Sequence, residues 1–117
     1  MRRMTLVILA LACGLAAAGV ATGATTLRLS ADPHGALKFD KKVLTAKAGR
    51  ITIVMRNLSP LSHNVAIKRL RAIVKGKIVG KGGTSTVIAT LKKGRYTFYC
   101  SVPGHEAAGM KGTLVVT

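Results

Sequence analysis

Beyond residue 24, apolar and polar residues alternate with a period of two, the spacing that places alternate side chains on one face of a β-strand. The clearest example is "RITIVMRN", in which Ile51, Ile53 and Met55 share a face. Similar short stretches are "TLRLS", "VLTAKAG", "SHNVAIK", "TSTVIATL", "RYTFYC" and "GTLVVT". Such stretches recur about every ten residues with no long helical pattern between them, which predicts an all-β, Greek-key β-sandwich or barrel.

The segment 68–83, "KRLRAIVKGKIVGKGG", is the exception to this alternation. Some of its apolar residues have helical spacing, but four glycines would break a helix repeatedly. We predict a basic loop that carries an irregular strand or hairpin.

The first 24 residues have a different pattern. Arg2 and Arg3 precede an apolar run over residues 5–20, and small residues follow it. This arrangement is typical of a signal peptide. We therefore predict a signal peptide at 1–24 and one domain at 25–117, located in the periplasm or elsewhere outside the cell membrane. A retained N-terminal anchor is one alternative, and a lipoprotein in which Cys13 carries the lipid is another.

The charge of the chain is strongly positive. It has 19 Lys and Arg against 3 Asp and Glu, for a formal net charge of +16, and only 3% of its residues are aromatic. Such a charge favours anionic partners. The predicted export and the few aromatic residues argue against nucleic acid. We expect an acidic protein partner, with association with an anionic envelope surface as a further possibility, and a monomeric chain.

Strand alternation also orients two chemically reactive side chains. His63 shares its face with Val65 and Ile67, and Cys100 shares its face with Phe98, so both are predicted to point into the core. A single cysteine in an oxidising compartment needs a partner or a buried place. A buried core thiol and a thiol for intermolecular pairing are the simpler interpretations of Cys100.

Neither interpretation explains why His105 and Met110 follow Cys100 within one short Gly-, Pro- and Ala-rich loop. Thiolate, imidazole and thioether are ligands that copper prefers, and two His, one Cys and a weak axial Met form the blue-copper site. A structural zinc site would rarely use Met. The sequence therefore predicts one copper ion per chain, cycling between Cu(I) and Cu(II), with the ligands His63, Cys100, His105 and Met110.

These residues, in "SHN" and "YCSVPGHEAAGM", resemble the cupredoxin family, the small blue copper proteins akin to plastocyanin and pseudoazurin. The resemblance covers about residues 27–117. It implies a Greek-key sandwich, bound copper and one-electron transfer. The spacing from Cys100 to His105 is longer than in plastocyanin, so the subfamily and the redox potential stay open.

The resemblance also implies supporting roles. Asn64 is similar to the asparagine that ties the ligand loops together, although strand alternation would point it outward; a plain polar turn residue is the alternative. Tyr96 is predicted to be a corner tyrosine bonded to the main chain. Electrons would pass through the edge of His105, beside a flat docking patch formed by Pro60, Leu61, Pro103, Ala107 and Ala108.

These features predict a secreted protein that transfers single electrons between redox partners and has no enzymatic activity. A dinuclear copper site would need a second cysteine in the loop, and a multicopper oxidase would have histidines where Tyr99 and Ser101 flank Cys100. Copper delivery or storage would use the same ligands and is the alternative. A sensor or adhesive module is a third possibility.

Overall fold

Eight β-strands in two sheets make up the computed structural model, which describes residues 23–117. The strands are β1 (Gly23–Ala31), β2 (Val43–Ala46), β3 (Gly49–Asn57), β4 (Ala66–Lys68), β5 (Ile73–Lys75), β6 (Thr84–Leu91), β7 (Gly94–Tyr99) and β8 (Lys111–Val116). Residues 1–22 of the predicted signal peptide, with Cys13, lie outside the described residues. Strand β1 begins two residues before the predicted domain start. No helix within 23–117 is long and apolar enough to cross a membrane.

The two sheets have the strand orders β1-β3-β6 and β2-β8-β7-β4-β5. Strands β1 and β3 are parallel, as are β2 and β8, and the other pairs are antiparallel. The chain passes from one sheet to the other five times. These crossings confirm the predicted Greek-key β-sandwich.

The core lies between the sheets and follows the predicted alternation. Ile51, Ile53 and Met55 on β3 are all 0% exposed, whereas Arg56 is exposed. Strand β6 alternates exposed and buried along its whole length. Because one face of β3 and one face of β6 are buried, a shift of their register by one residue would expose their core side chains, and this fixes the pairing of these two strands.

The basic segment 68–83 contains the predicted hairpin. Strand β4 pairs with β5 so that Lys68 lies opposite Ile73, and the Arg69 amide donates to the Ala72 carbonyl at 2.7 Å. Strand β5 is the edge of its sheet. Further along, Val79 forms a bridge with His63.

Strand register defines two ends of the sandwich. We call one end the distal pole: it contains the turns at residues 47–50, 69–72 and 92–95. Arg69 Nη2 donates to the Thr90 carbonyl near the end of β6, and Tyr96 Oη donates to the Lys92 carbonyl at 2.8 Å, across the turn between β6 and β7. The second bond confirms Tyr96 as a corner tyrosine. The opposite end, where β7 ends and β8 begins, we call the ligand pole.

Candidate metal centre

Three donor atoms converge at the ligand pole. His63 Nδ1 lies 3.1 Å from His105 Nδ1, and Cys100 Sγ lies 3.8 Å from the first and 3.5 Å from the second. His63 and Cys100 are fully buried, while His105 is half-buried. Among the described residues, these three form the group of His, Cys, Asp and Glu side chains positioned to hold a metal ion.

The size of this triangle fits a transition-metal ion. A point equidistant from the three atoms lies about 2.0 Å from each. This matches the metal–nitrogen distances of about 2.0–2.1 Å in zinc–imidazole sites and is slightly shorter than the metal–sulfur distance of about 2.3 Å in zinc–thiolate sites. One thiolate and two imidazoles are also the equatorial donors of a blue-copper centre. The donor chemistry and the spacing therefore both fit copper.

His63 reaches this position through a loop that Asn57 holds in place. Asn57 is fully buried at the end of β3, and its Nδ2 donates to the carbonyls of Leu61 and Val79 at 2.8 and 2.9 Å. Its Oδ1 accepts from the Ser59 amide. These bonds satisfy the loop's buried polar groups, which a short buried connection requires. They fix the chain immediately before His63.

The loop 100–110 places the other donors by two tight turns. The His105 amide donates to the Val102 carbonyl, with Pro103 and Gly104 between them and a φ of 82° at Gly104, as in a type II turn. The Gly109 amide then donates to the Glu106 carbonyl, closing the second turn. Both turns lie within the Gly-, Pro- and Ala-rich loop that follows Cys100 in the sequence.

Met110 closes the loop beneath the donors. Its amide donates to the His105 carbonyl, and its carbonyl accepts from the Cys100 amide, each at 3.0 Å. Its side chain is 0% exposed and packs within the main hydrophobic core. Backbone bonds to two other donor residues therefore hold Met110 in the same buried cluster, as an axial thioether ligand requires.

The position of Asn64 differs from the strand-alternation expectation. Alternation points it outward, but it is only 1% exposed. Residue 64 precedes β4, and both of its faces are covered, because the segments at Gly76 and Ser101 pack over it. Asn64 Nδ2 donates to the Gly76 carbonyl at 2.9 Å and to Ser101 Oγ at 2.7 Å, and the Ser101 amide donates to Asn64 Oδ1 at 2.7 Å.

These bonds connect the residue after His63 to the residue after Cys100. Hydrogen bonds from residues outside the ligand set orient the ligand side chains and tune the properties of the bound metal. Sequence reasoning did not identify Ser101 as the partner. Its position next to the only described cysteine is the signal that was available.

Replacing Asn64 with Ala is expected to lower the free energy of unfolding by about 2–3 kcal/mol, because the Gly76 carbonyl and the Ser101 amide lose their buried partner. Ser101→Ala is the matched control. It removes the Ser101 hydroxyl but keeps the hydrogen bond from the Ser101 backbone amide to Asn64 Oδ1, so it should cost about 1 kcal/mol or less. Urea unfolding of both variants measures the difference. Equal losses would mean that Asn64 does not connect the two ligand segments.

Burial, and after it the charge of His105, lower the pKa of His63 below its ordinary value. A lowered pKa keeps the imidazole neutral at neutral pH, so a nitrogen lone pair is available to a metal. Nδ1 faces the other donors, so a metal bound there would leave the ring proton on Nε2. Among the described residues, Nε2 finds no hydrogen-bond acceptor.

A charged pair connects the ligand loop to β4. Lys68 Nζ lies 2.5 Å from Glu106 Oε2 and 4.8 Å from the centre of the Tyr99 ring. Burial raises the pKa of Tyr99, with Lys68 opposing this effect and Glu106 adding to it. Because the pair is partly exposed, it contributes about 1 kcal/mol or less. Sequence analysis missed this pair, since β4 and the loop are far apart in the chain.

The predicted docking residues are all exposed. Two of them precede His63 and three lie in the ligand loop, so the five flank the half-buried His105 at the ligand pole: Pro60, Leu61, Pro103, Ala107 and Ala108. The third histidine, His34, is exposed and is not part of the donor cluster.

Comparisons with known proteins point to one family. The profile of the copper binding proteins, plastocyanin/azurin family, matches residues 26–117. Azurin of Pseudomonas fluorescens biotype C is 44% identical over 50 residues, which are 39% of this chain and 38% of azurin. The match thus spans well under two thirds of that relative's length.

Solved structures share the fold over most of the chain. Auracyanin of the photosynthetic bacterium Roseiflexus castenholzii, reduced with dithionite, superposes with a TM-score of 0.69 and 29% identity over 81% of this chain and 99% of its own. Auracyanin A, a "blue" copper protein of Chloroflexus aurantiacus, gives a TM-score of 0.68 and 25% identity over 81% and 100%.

Proposed function

Since the chain belongs to the plastocyanin/azurin family of copper-binding proteins, we propose that it carries single electrons between redox partners. Copper bound at its centre supplies the one-electron Cu(I)/Cu(II) couple. His63, Cys100 and His105 would hold the ion, and Met110 would supply a weaker thioether donor.

One observation carries this proposal: of the four donor side chains, only His105 reaches the surface. His63, Cys100 and Met110 are each 0% exposed, whereas His105 is half-buried among exposed small residues. Such burial excludes water and other ligands from the centre. Electrons would therefore enter and leave through the His105 ring, and a partner would dock on the surface around it.

The same burial argues against copper delivery as the main role. Three of the donors sit in the core, and backbone bonds hold Met110 to Cys100 and His105. Releasing the ion would require this loop to open. A carrier without enzymatic activity, which is typical of cupredoxins, is part of the same proposal.

The electron-transfer proposal is tested by voltammetry together with a copper-transfer assay. We expect fast, reversible one-electron voltammetry and slow loss of copper to a chelating acceptor protein. Rapid donation of copper with sluggish electron exchange would instead identify a copper-delivery protein.

Electrostatic steering of an acidic redox partner follows from the charge near the centre. Lys77 and Lys81 are exposed in the segment that contacts Asn64 and His63 through Gly76 and Val79. Opposite charges speed association, and salt screens them over about 8–10 Å at ordinary ionic strength.

We expect the reaction with an acidic redox protein to slow by about tenfold or more between low and high salt, as measured by stopped-flow absorbance. Lys77→Gln should slow it at low salt more than Lys93→Gln, which lies at the distal pole. Reaction with a neutral small oxidant is the control and should not change. A salt-independent rate with the acidic partner would contradict steering.

Export of the chain belongs to the same proposal. Arg2 and Arg3, the apolar run and the small residues after it support a signal peptide, and so an extracytoplasmic location. A net charge of +16 opposes self-association, which supports a monomer.

A further inference from the structure

The hairpin between β4 and β5 exposes a large aliphatic side chain at its tip. Leu70 is 96% exposed, and Ile73 beside it is 51% exposed. Both line one shallow surface with Arg69, Arg71, Lys75 and Lys68, of which Lys68 is paired with Glu106. An aliphatic side chain that is almost entirely exposed to water buries little apolar area and so adds almost nothing to the stability of the fold. Its presence therefore needs another explanation.

Turn formation does not explain the sequence of this tip. Two-residue hairpin connections favour Asn-Gly or Asp-Gly, whose residues adopt positive φ. Here Leu70 and Arg71 connect the paired residues Arg69 and Ala72. No residue other than glycine has a positive φ within the described chain. The backbone therefore tolerates many residue types at these two positions, and it does not require a leucine next to an arginine.

The charged side chains of the distal pole around this tip are cationic. Its three turns present seven exposed cations: Lys47, Arg50, Arg69, Arg71, Lys92, Lys93 and Arg95. The acidic side chains of the described residues lie elsewhere. Asp32 follows the end of β1, Asp40 bonds to the Ser30 amide, and Glu106 lies in the ligand loop.

We propose that the distal pole docks on an anionic lipid bilayer, with Leu70 inserted at the level of the headgroups and the surrounding Arg and Lys on lipid phosphates. Membrane-surface binding of this kind combines inserted apolar area with attraction to anionic lipids. The aliphatic stems of Arg and Lys side chains can enter the bilayer beside Leu70 while their charged ends stay at the lipid phosphates. The proposal concerns the pole opposite the copper ligands and does not depend on electron transfer.

The shape of the surface favours lipid over an acidic protein. Leu70 is 96% exposed in the two-residue turn between β4 and β5, and only Ile73 beside it is a large apolar side chain, so the tip offers little apolar area for the packed core that a specific protein interface needs. A bilayer deforms around a single side chain, and its phosphates can meet cations spread over three separate turns. The few aromatic residues argue equally against single-stranded nucleic acid, which stacks on aromatic rings.

Docking in this way would orient the copper centre. Strand β4 leads from the His63 segment to the tip, and β7 leads from the distal pole to Cys100. A bilayer at the tip would therefore leave His105 facing away from the membrane. Bound protein would remain open to a soluble partner.

Vesicle sedimentation tests the proposal with copper-loaded protein, using phosphatidylcholine vesicles with and without phosphatidylglycerol. All variants carry the same N-terminus. We expect binding to the anionic vesicles alone, and weaker binding at high salt. Arg69→Gln with Arg71→Gln should lower the partition coefficient about tenfold. Leu70→Ser should lower it by a similar factor while leaving the visible spectrum unchanged.

Two matched controls separate the hairpin from general charge and hydrophobicity. Lys77→Gln with Lys81→Gln removes the same charge at the ligand pole, and Ile88→Ser removes an aliphatic side chain that is 45% exposed on β6. Neither should change binding by more than about twofold. Equal losses in test and control variants, or equal binding to both kinds of vesicle, would overturn the proposal.

Insertion of the tip is tested separately, because the chain contains no tryptophan. Leu70→Trp introduces one at the tip, and Ile78→Trp introduces one near the ligand pole, where Ile78 is 53% exposed. With vesicles that contain brominated lipid, fluorescence at position 70 should be quenched and that at 78 should not. If position 70 is not quenched, or if only an acidic protein binds the tip, the lipid proposal is wrong.

Discussion

Replacing Cys100 with serine is expected to abolish nearly all of the intense visible absorption of the copper-loaded protein. The band of a blue-copper centre depends on the bond between copper and a cysteine thiolate. Cys100 Sγ lies within 3.8 Å of both imidazole donors and is the one free thiol among the described residues. A serine hydroxyl at the same position is a much harder and weaker donor, so the charge-transfer transition is lost.

The measurement is an absorption spectrum paired with a copper analysis, which separates a lost band from a lost ion. His34→Ala is the control. It removes the exposed histidine outside the cluster and should leave the spectrum intact. A Cys100→Ser protein that stays intensely blue would refute the assignment of Cys100 as a ligand.

Met110→Leu is expected to keep copper but raise the reduction potential by about 60 mV or more, the one-electron equivalent of a tenfold change in the ratio of Cu(I) to Cu(II) affinity. Leucine fills nearly the same buried volume but donates no electrons. Loss of the thioether weakens the binding of Cu(II) more than that of Cu(I), which raises the potential. The fold should change little, since a Leu–Met exchange usually costs less than about 1.5 kcal/mol.

Met55→Leu is the matched control for this prediction. Met55 is also 0% exposed, but it lies on β3 in the core. Voltammetry should show an unchanged potential for Met55→Leu and a raised one for Met110→Leu. An unchanged potential in both variants would argue against Met110 as the axial ligand. Equal shifts in both would mean that core packing, and not the thioether, sets the potential.

Most of the metal centre was predictable from the sequence because its geometry is largely local. Cys100, His105 and Met110 lie within one loop, and its Pro and Gly residues determine where that loop turns. Strand alternation pointed Cys100 and His63 inward, where the structure places them. The donor types alone then favoured copper over zinc.

Asn64 shows where this local reasoning ended. Strand alternation assumes one covered face and one open face, but residues 63–67 are all buried. What covers Asn64 comes from Gly76 and from Ser101, 12 and 37 residues further along the chain. No period in the sequence encodes that contact. Only the resemblance to a family predicted the role of Asn64, and the structure supplied its partners.

The sequence by itself determined the strands, the buried face of each strand and the residues able to bind copper, because these depend on side-chain period and donor chemistry. The tertiary structure alone decided which turns share a pole. Lys47, Arg69 and Lys93 are far apart in the chain, and they lie together only because β2, β4 and β6 end or begin at the same end of the sandwich. The composition gives only the total charge of the chain, whereas the strand pairing determines which surface of the molecule carries that charge.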